Sequence, residues 1–371
     1  MRKNLDRYMN RPQTKIVILT LTNSCNLSCI YCYEHNKEAC RITYELAEEI
    51  ITREMIAEDG SDFVCIYYFG GEPFTEFETI NRIHSYLKSR NWPKKWFTFC
   101  TTNGTLVHDD VQKWLMENDN TIEIYLSIDG TKEMHNTNRS NSYDRIDLKF
   151  FAEHFTFAKM TITPQTLPGL AAGVLHLHSL GFEVSANIGH GLHWDSSSPA
   201  VFAEQLNILI DYYCLHPEYK PVNTLDAPIT ELDPGTSTPR RFCGVGPLMR
   251  SYDNEGNAYP CHAFAPLCIG KEHAEEALNL DFSKPLKLCE LDKKCQSCPL
   301  IGHCPTCYGI NFGAFGNVYH IPEDHCMMMK IQFMAGAKFK FRLYKSGHLQ
   351  LTPEEEVKFL RNIAALQKLS L

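Results

Sequence analysis

Lys15-Ile16-Val17-Ile18-Leu19-Thr20-Leu21 leads, after Thr22-Asn23-Ser24, into Cys25-Asn26-Leu27-Ser28-Cys29-Ile30-Tyr31-Cys32. The first stretch is a short, nearly unbroken apolar run, as expected of a strand buried on both faces of a parallel sheet. The second places three thiols, spaced C-x3-C-x2-C, on the loop that follows that strand. In α/β sheets the loops after the carboxyl ends of strands are where ligands bind.

Working outward, the first half alternates strand-like and helix-like segments. Strands are expected at residues 15–21, 63–69, 96–101, 122–128, 157–163 and 183–188. Helices are expected near 44–55, 76–88, 109–116, 145–154, 170–180 and 199–213. Such alternation implies an α/β fold, here a partial (β/α)6 TIM-like barrel with its chemistry at the carboxyl ends of the strands. Residues 216–241, rich in Pro, Thr and Asp, read as a connector. Residues 242–330 have many Cys, Gly and Pro and little periodicity, the pattern of a small domain built around metal sites. Residues 331–371 complete a C-terminal helical segment whose last helix starts at Thr352-Pro353-Glu354-Glu355. The expected division is therefore 1–215, 216–241, 242–330 and 331–371.

Composition narrows the function. The chain has 371 residues and a formal net charge of -8, which argues against nucleic acid or an anionic membrane as partner. No apolar run has the length of a membrane span. Residues 1–14 lack the apolar stretch of an export signal, so a cytoplasmic location is expected. Sixteen cysteines in a reducing compartment read as metal ligands rather than disulfides. Cys40, Cys65, Cys100 and Cys214 are scattered and read as ordinary buried thiols.

Three thiolates on one loop can hold three corners of a [4Fe–4S] cube and leave one iron open to a ligand. The competing reading is a structural zinc site completed by a residue such as His35. Structural zinc sites, however, usually pair C-x2-C knuckles.

With an aromatic, Tyr31, before its last cysteine, this motif resembles the radical S-adenosylmethionine (SAM) superfamily. The resemblance implies that SAM chelates the open iron and is cleaved by one electron to a 5′-deoxyadenosyl radical that abstracts a substrate hydrogen. It further implies cofactor roles for Gly70-Gly71-Glu72-Pro73 after the second strand, with its backbone and Glu72 receiving the SAM ammonium. Asn103 after the third strand, and Ser127 and Asp129 after the fourth, would hold the ribose and methionine parts. Arg139, ahead of Lys159, is the candidate for the SAM carboxylate. Each of these polar residues is separately compatible with an ordinary turn or a surface charge.

The second half is similar to the SPASM extension of such enzymes, which carries two auxiliary clusters. By position, Cys295, Cys298, Cys304 and Cys326 would hold the distal one, and Cys243, Cys261 and Cys307 the nearer one. With SAM, the resemblance thus implies three [4Fe–4S] clusters. Two departures stand out. Only Pro305 and Thr306 separate Cys304 from Cys307, where the family usually has three residues. The nearer cluster also has only three evident ligands, so its fourth is Cys268, Cys289 or the substrate itself.

Relatives of this type mostly modify peptides or proteins. The expected function is oxidative modification of a peptide side chain, a thioether or carbon–carbon crosslink, with an electron donor of flavodoxin or ferredoxin type. Anaerobic sulfatase maturation is the alternative; there a carboxylate follows the cysteine of Tyr-Pro-Cys and serves as base. Here His262 takes that place and becomes the candidate base. Residues 1–14 are too short for a leader-recognition domain, so either a separate presenting protein is a further partner or the barrel recognises the peptide alone. A third reading is a non-catalytic zinc protein. His190 and His193 follow the sixth strand, while His176 and His178, two apart on a helix, cannot chelate together.

Overall fold

The computed structural model describes residues 13–232 and 241–369. The reading of residues 1–14 and the end of the connector therefore fall largely outside the described residues.

Six βα units follow in order. They are β1 (Thr14–Thr22), α1 (Tyr44–Ile56), β2 (Phe63–Gly70), α2 (Phe77–Lys88), β3 (Lys95–Thr102), α3 (Asp109–Glu117), β4 (Ile122–Ser127), α4 (Lys132–Asn138), α5 (Leu148–His154), β5 (Phe157–Ile162), α6 (Leu170–Ser179), β6 (Glu183–Ile188) and α7 (Ser198–Leu215). Next come β7 (Met249–Tyr252), β8 (Ala258–Tyr259), α8 (Pro266–Ile269), α9 (Lys271–Ala277), α10 (Lys293–Gln296), α11 (Tyr308–Phe315), α12 (Glu323–Lys345) and α13 (Pro353–Leu366). Among the described residues no helix is long and apolar enough to cross a membrane.

The strand order is β6-β5-β4-β3-β2-β1-β7-β8, parallel throughout except for the final β7–β8 pair. Strands β1 to β6 form the expected α/β array, all with their carboxyl ends on one side. The sheet does not stop at β1. β7 pairs parallel to it, with Ile16 opposite Met249 and Leu19 opposite Tyr252, so the cysteine-rich region is joined to the barrel through its own sheet. A four-residue strand carries too little periodicity to be read from sequence. α4 was also not anticipated, for its polar sequence KEMHNTN offers no apolar stripe; the Thr131 side chain caps it by accepting from the Met134 amide.

The runs that read as doubly buried strands are so because each face meets a different core. On β2, Val64, Ile66 and Tyr68 face the main core beneath the helices. Phe63 and Cys65, with Tyr67 beside them, face the barrel interior and pack with Phe97, Phe99 and Tyr125. Fully burying one such side chain contributes roughly 1.5–3 kcal/mol. At the barrel's back, Lys15 pairs with Glu54 and Asp59, and Lys94 pairs with Asp59 at 2.9 Å. α12 runs through residue 330 and packs along α7. There Gly336 lets its backbone press on Ala227, where a Cβ would lie 2.7 Å from the Ala227 methyl.

Candidate active site

The thiol loop hangs from β1 over the ends of β2, β3 and β4, and four contacts hold it. The Asn103 side-chain amide donates to Asn26 Oδ1 at 2.8 Å, and Asn26 donates in turn to the Thr105 hydroxyl at 2.8 Å. The Ser28 amide donates to Ser140 Oγ at 2.9 Å, and the Ile30 amide to the Asn138 carbonyl at 3.0 Å. Gly71 makes the close approach possible: a Cβ there would lie 2.4 Å from the Ser24 carbonyl oxygen and 2.9 Å from Cys25 Cβ. Gly70 is similarly constrained, with φ of 140° and a would-be Cβ 2.3 Å from the Thr22 oxygen.

Asp129 lies fully buried beneath this loop. Its Oδ2 accepts from the Tyr31 hydroxyl at 2.9 Å, Asn138 Nδ2 at 3.1 Å and Arg139 Nε at 3.1 Å, while Oδ1 accepts from the Thr161 amide at 2.9 Å. The carboxylate thus accepts four hydrogen bonds within the protein, three of them on Oδ2, and its charge keeps the nearly buried Arg139 guanidinium in place.

Glu72 is likewise engaged within the protein. It accepts from the Phe74 amide at 3.1 Å, the Thr102 hydroxyl at 2.7 Å and the Asn103 amide at 2.8 Å. Burial raises its pKa, working against those hydrogen bonds. Pro73 opens the short 3-10 turn Pro73–Glu76 and is buried.

Cys25, Cys29 and Cys32 line one hollow together with Gly70, Gly71, Glu72, Asn103, Ser127 and Arg139. The sequence-derived set therefore converges, apart from Pro73, Asp129 and His262, which stand behind the lining. Burial pushes the Cys25 thiol up to about 11 and raises Cys29 and Cys32 as well. Two cations oppose this: Lys37 beside Cys25 and Cys32, and Arg139 beside Cys29. An all-sulfur donor set of three, on one loop, fits an iron–sulfur cube with one open corner. Among the described residues no three Cys, His, Asp or Glu side chains close on the spacing of a single metal ion.

Facing the same hollow are Tyr33, Glu34, Tyr67 and Phe69. Burial pushes the Glu34 carboxyl up to about 8. His262 packs against Phe69 at 4.4 Å between ring centroids, and its Nε2 is 3.4 Å from the Tyr33 hydroxyl. Burial pushes this imidazole down to about 4, so it is neutral near pH ~7. Its Nδ1 has no hydrogen-bond partner among the described residues. Lys159 does not line the hollow; it donates to the Thr101 hydroxyl at 3.1 Å and lies over the Tyr125 ring at 5.0 Å. Burial pushes its amine down to about 8.

In the cysteine-rich region, Cys295, Cys298, Cys304 and Cys326 line a single apolar-walled cavity with Leu286, Leu291 and Met329. Burial pushes the Cys295 thiol up to about 12, and the neighbouring thiols of Cys326 and Cys298 add to this. The short Pro305-Thr306 link is pinned at both residues. The Pro305 carbonyl lies 2.9 Å from His325 Nε2, and the Thr306 hydroxyl accepts from Asn311 Nδ2 at 2.9 Å. The thiols of Cys243, Cys261 and Cys307 lie within electrostatic reach of one another. His190 stacks near His325 at 5.3 Å, and His193 pairs with Asp324 at 3.2 Å, so both histidines dock the end of β6 on α12. His176 and His178 point apart, to the hydroxyls of Tyr143 and Tyr213.

Residues 19–148 match the family model described as the radical SAM superfamily. Over this stretch the chain is similar to radical SAM proteins. It is similar to the cysteine-type anaerobic sulfatase-maturating enzyme of Clostridium perfringens (strain 13 / Type A), with 31% identity over 140 residues. That stretch is 35% of this chain and 36% of the relative, so the match spans about a third of the curated enzyme. The fold is similar to native anSMEcpe with bound AdoMet and the Kp18Cys peptide, with a TM-score of 0.67 and 18% identity, covering 91% of this chain and 100% of that one. It is also similar to Streptococcus suis SuiB bound to the precursor peptide SuiA, with a TM-score of 0.55 and 16% identity, covering 87% of this chain and 78% of that one. These likenesses extend the shared fold past the barrel into the cysteine-rich region, and the family match over residues 19–148 indicates an enzyme.

Several residues of this site carry no signal in the sequence. Thr105, Asn138 and Ser140 brace the thiol loop from positions remote in the chain, where each reads as ordinary loop polarity. Glu34 and Lys37 stand close after Cys32 and could have been suspected from that proximity alone.

Proposed function

We propose that this enzyme oxidatively modifies a side chain of a peptide or protein, forming a thioether or carbon–carbon crosslink. The observation that carries the reading is the convergence of Cys25, Cys29 and Cys32 with Gly70-Gly71, Asn103, Ser127 and Arg139 on one hollow at the carboxyl ends of parallel strands. In this reading the three cysteines hold a [4Fe–4S] cluster and the strand-end residues hold SAM. Such a cluster with SAM supplies one-electron sulfonium cleavage and, through it, removal of a substrate hydrogen atom.

The protein's own residues do the positioning. Arg139, fixed by Asp129, offers a permanent positive charge to the SAM carboxylate. The Glu72 carboxylate, with three donors on it, braces the ends of β2 and β3 and, together with the Gly70–Gly71 backbone, meets the SAM ammonium. The aromatic wall of Tyr33, Tyr67 and Phe69 excludes water from the hollow. Cys295, Cys298, Cys304 and Cys326 are the ligands of a distal auxiliary cluster, and Cys243, Cys261 and Cys307 of a nearer one. Auxiliary clusters suit a reaction that must remove a second electron from the substrate. A flavodoxin- or ferredoxin-type donor would supply the first electron.

Sulfatase maturation is the second reading, favoured by the sulfatase-maturating relative at 31% identity. The neutral His262 stands where that reaction's carboxylate is expected, and Glu34, beside the thiol loop, presents a carboxyl to the hollow instead. The two readings separate on one assay. The anaerobically reconstituted enzyme is incubated with SAM, dithionite and two peptides: a cysteine-containing sulfatase motif, and a precursor encoded near the enzyme. Loss of two hydrogens from the precursor supports crosslinking. Exchange of the motif's thiol for an aldehyde oxygen supports maturation, and SAM left uncleaved overturns both.

A further inference from the structure

Building on the auxiliary-cluster reading above, we propose that Cys268 is the fourth protein ligand of the nearer cluster, so that this cluster is closed by cysteine and does not bind substrate.

Four segments meet at this place. Cys307 caps the start of α11, Cys261 caps the short turn His262–Phe264, and Cys268 lies in α8. Two glycines a helical turn apart press α11 onto both other segments. A Cβ on Gly309 would lie 2.5 Å from the Ala263 carbonyl oxygen, and one on Gly313 would lie 2.5 Å from Ile269 Cγ2. Each cysteine stands within two residues of a point of closest approach, so neither side of the contact can draw back without opening the other. Cys243 completes the group from the strand-preceding loop; its charge would act on both Cys261 and Cys307.

Cys268 is 4% exposed, and the groups whose charges bear on its thiol are Glu34, Cys261, Cys307 and Cys32. Cys289, the other spare thiol, is exposed. It sits on the turn Leu288–Glu290, and the flanking Leu286 and Leu291 line the cavity of the distal cysteines instead. On forming the iron–sulfur bond, the Cys268 thiol gives its proton to solvent and no electron changes hands. A cluster closed in this way can still take up an electron, but it has no iron free to hold a substrate thiol.

The test uses the full chain carrying Cys25→Ala, Cys29→Ala and Cys32→Ala, so that only the auxiliary sites bind iron. Reconstituted anaerobically, this protein should hold about eight irons, as two cubes require. Adding Cys268→Ala should lower the count and give a three-iron signal in electron paramagnetic resonance of the oxidised protein. Adding Cys289→Ala should change neither. As a check free of any misfolding at residue 268, cyanide added to the reduced triple variant with Cys268 intact should leave its spectrum unchanged. A cyanide-shifted spectrum, or a Cys268→Ala protein with unaltered iron and signal, overturns the proposal while leaving the auxiliary clusters standing. A triple variant that binds no iron overturns the auxiliary-cluster reading and this inference together.

Discussion

The Tyr31 hydroxyl donates to the Asp129 carboxylate across 2.9 Å, although 98 residues separate the two in sequence. The aromatic of the thiol loop is therefore a strut: it ties the loop to the carboxylate that fixes Arg139, and one buried anion sets the position of both.

Removing the strut and removing the anion should differ in size. Tyr31→Phe loses one hydrogen bond to a charged group, about 1.5–3 kcal/mol. Asp129→Ala leaves Arg139 buried without its counter-charge, and should cost roughly 3–5 kcal/mol. Thermal unfolding of the two anaerobic proteins measures both, with Asp129→Ala expected to melt well below Tyr31→Phe.

Gly71→Ala should displace the thiol loop, because the added methyl would fall 2.4 Å from the Ser24 carbonyl oxygen. The expected outcome is loss of about four irons per chain, those of one cube, with the remaining iron retained. Iron and sulfide analysis after reconstitution decides it; a full complement of iron would show that the loop can shift without losing its metal.

Lys159 makes stability depend on pH in an unusual direction. Burial holds its folded pKa at about 8, below the ordinary lysine value. The unfolded chain then binds the extra proton between those two values, so stability rises with pH through that window. Below pH ~8 the buried charge costs up to roughly 3 kcal/mol, the equivalent of the shift. Lys159→Met should therefore gain stability relative to the unsubstituted protein near pH ~7, and the gap should narrow towards pH ~10. Melting temperatures across that range, equal at every pH, would refute the assignment.

Asp59 acts oppositely at the other end of the barrel. Partial burial works against its charge, but Lys15, Ser61 and Lys94 prevail and hold its carboxyl well below the usual range. Its contribution is present above the ordinary carboxylate pKa and is lost as pH falls through the lowered value. Asp59→Asn should destabilise the protein by about 3 kcal/mol at neutral pH, because Lys94 is 6% exposed and loses its carboxylate partner. The difference from the unsubstituted protein should shrink in acid, which urea titrations at two pH values would detect.

The sequence by itself determined the six βα units, the thiol loop and the capping box at Thr352. A strand buried on both faces must be apolar along its length, a helix on its surface must be apolar at one spacing, and both rules act between neighbours in the chain. It also placed Cys295, Cys298, Cys304 and Cys326 in one group, and the structure brings them to one cavity. Only the tertiary structure decided that β7 continues the barrel sheet beside β1, that Asn103 braces Asn26, and that Glu72 and Asp129 spend their carboxylates inside the protein. It alone brought α8 and α11 together at Gly309 and Gly313. Such contacts join residues remote in sequence, and their geometry depends on how whole elements cross, for which no local pattern of side chains provides a signal.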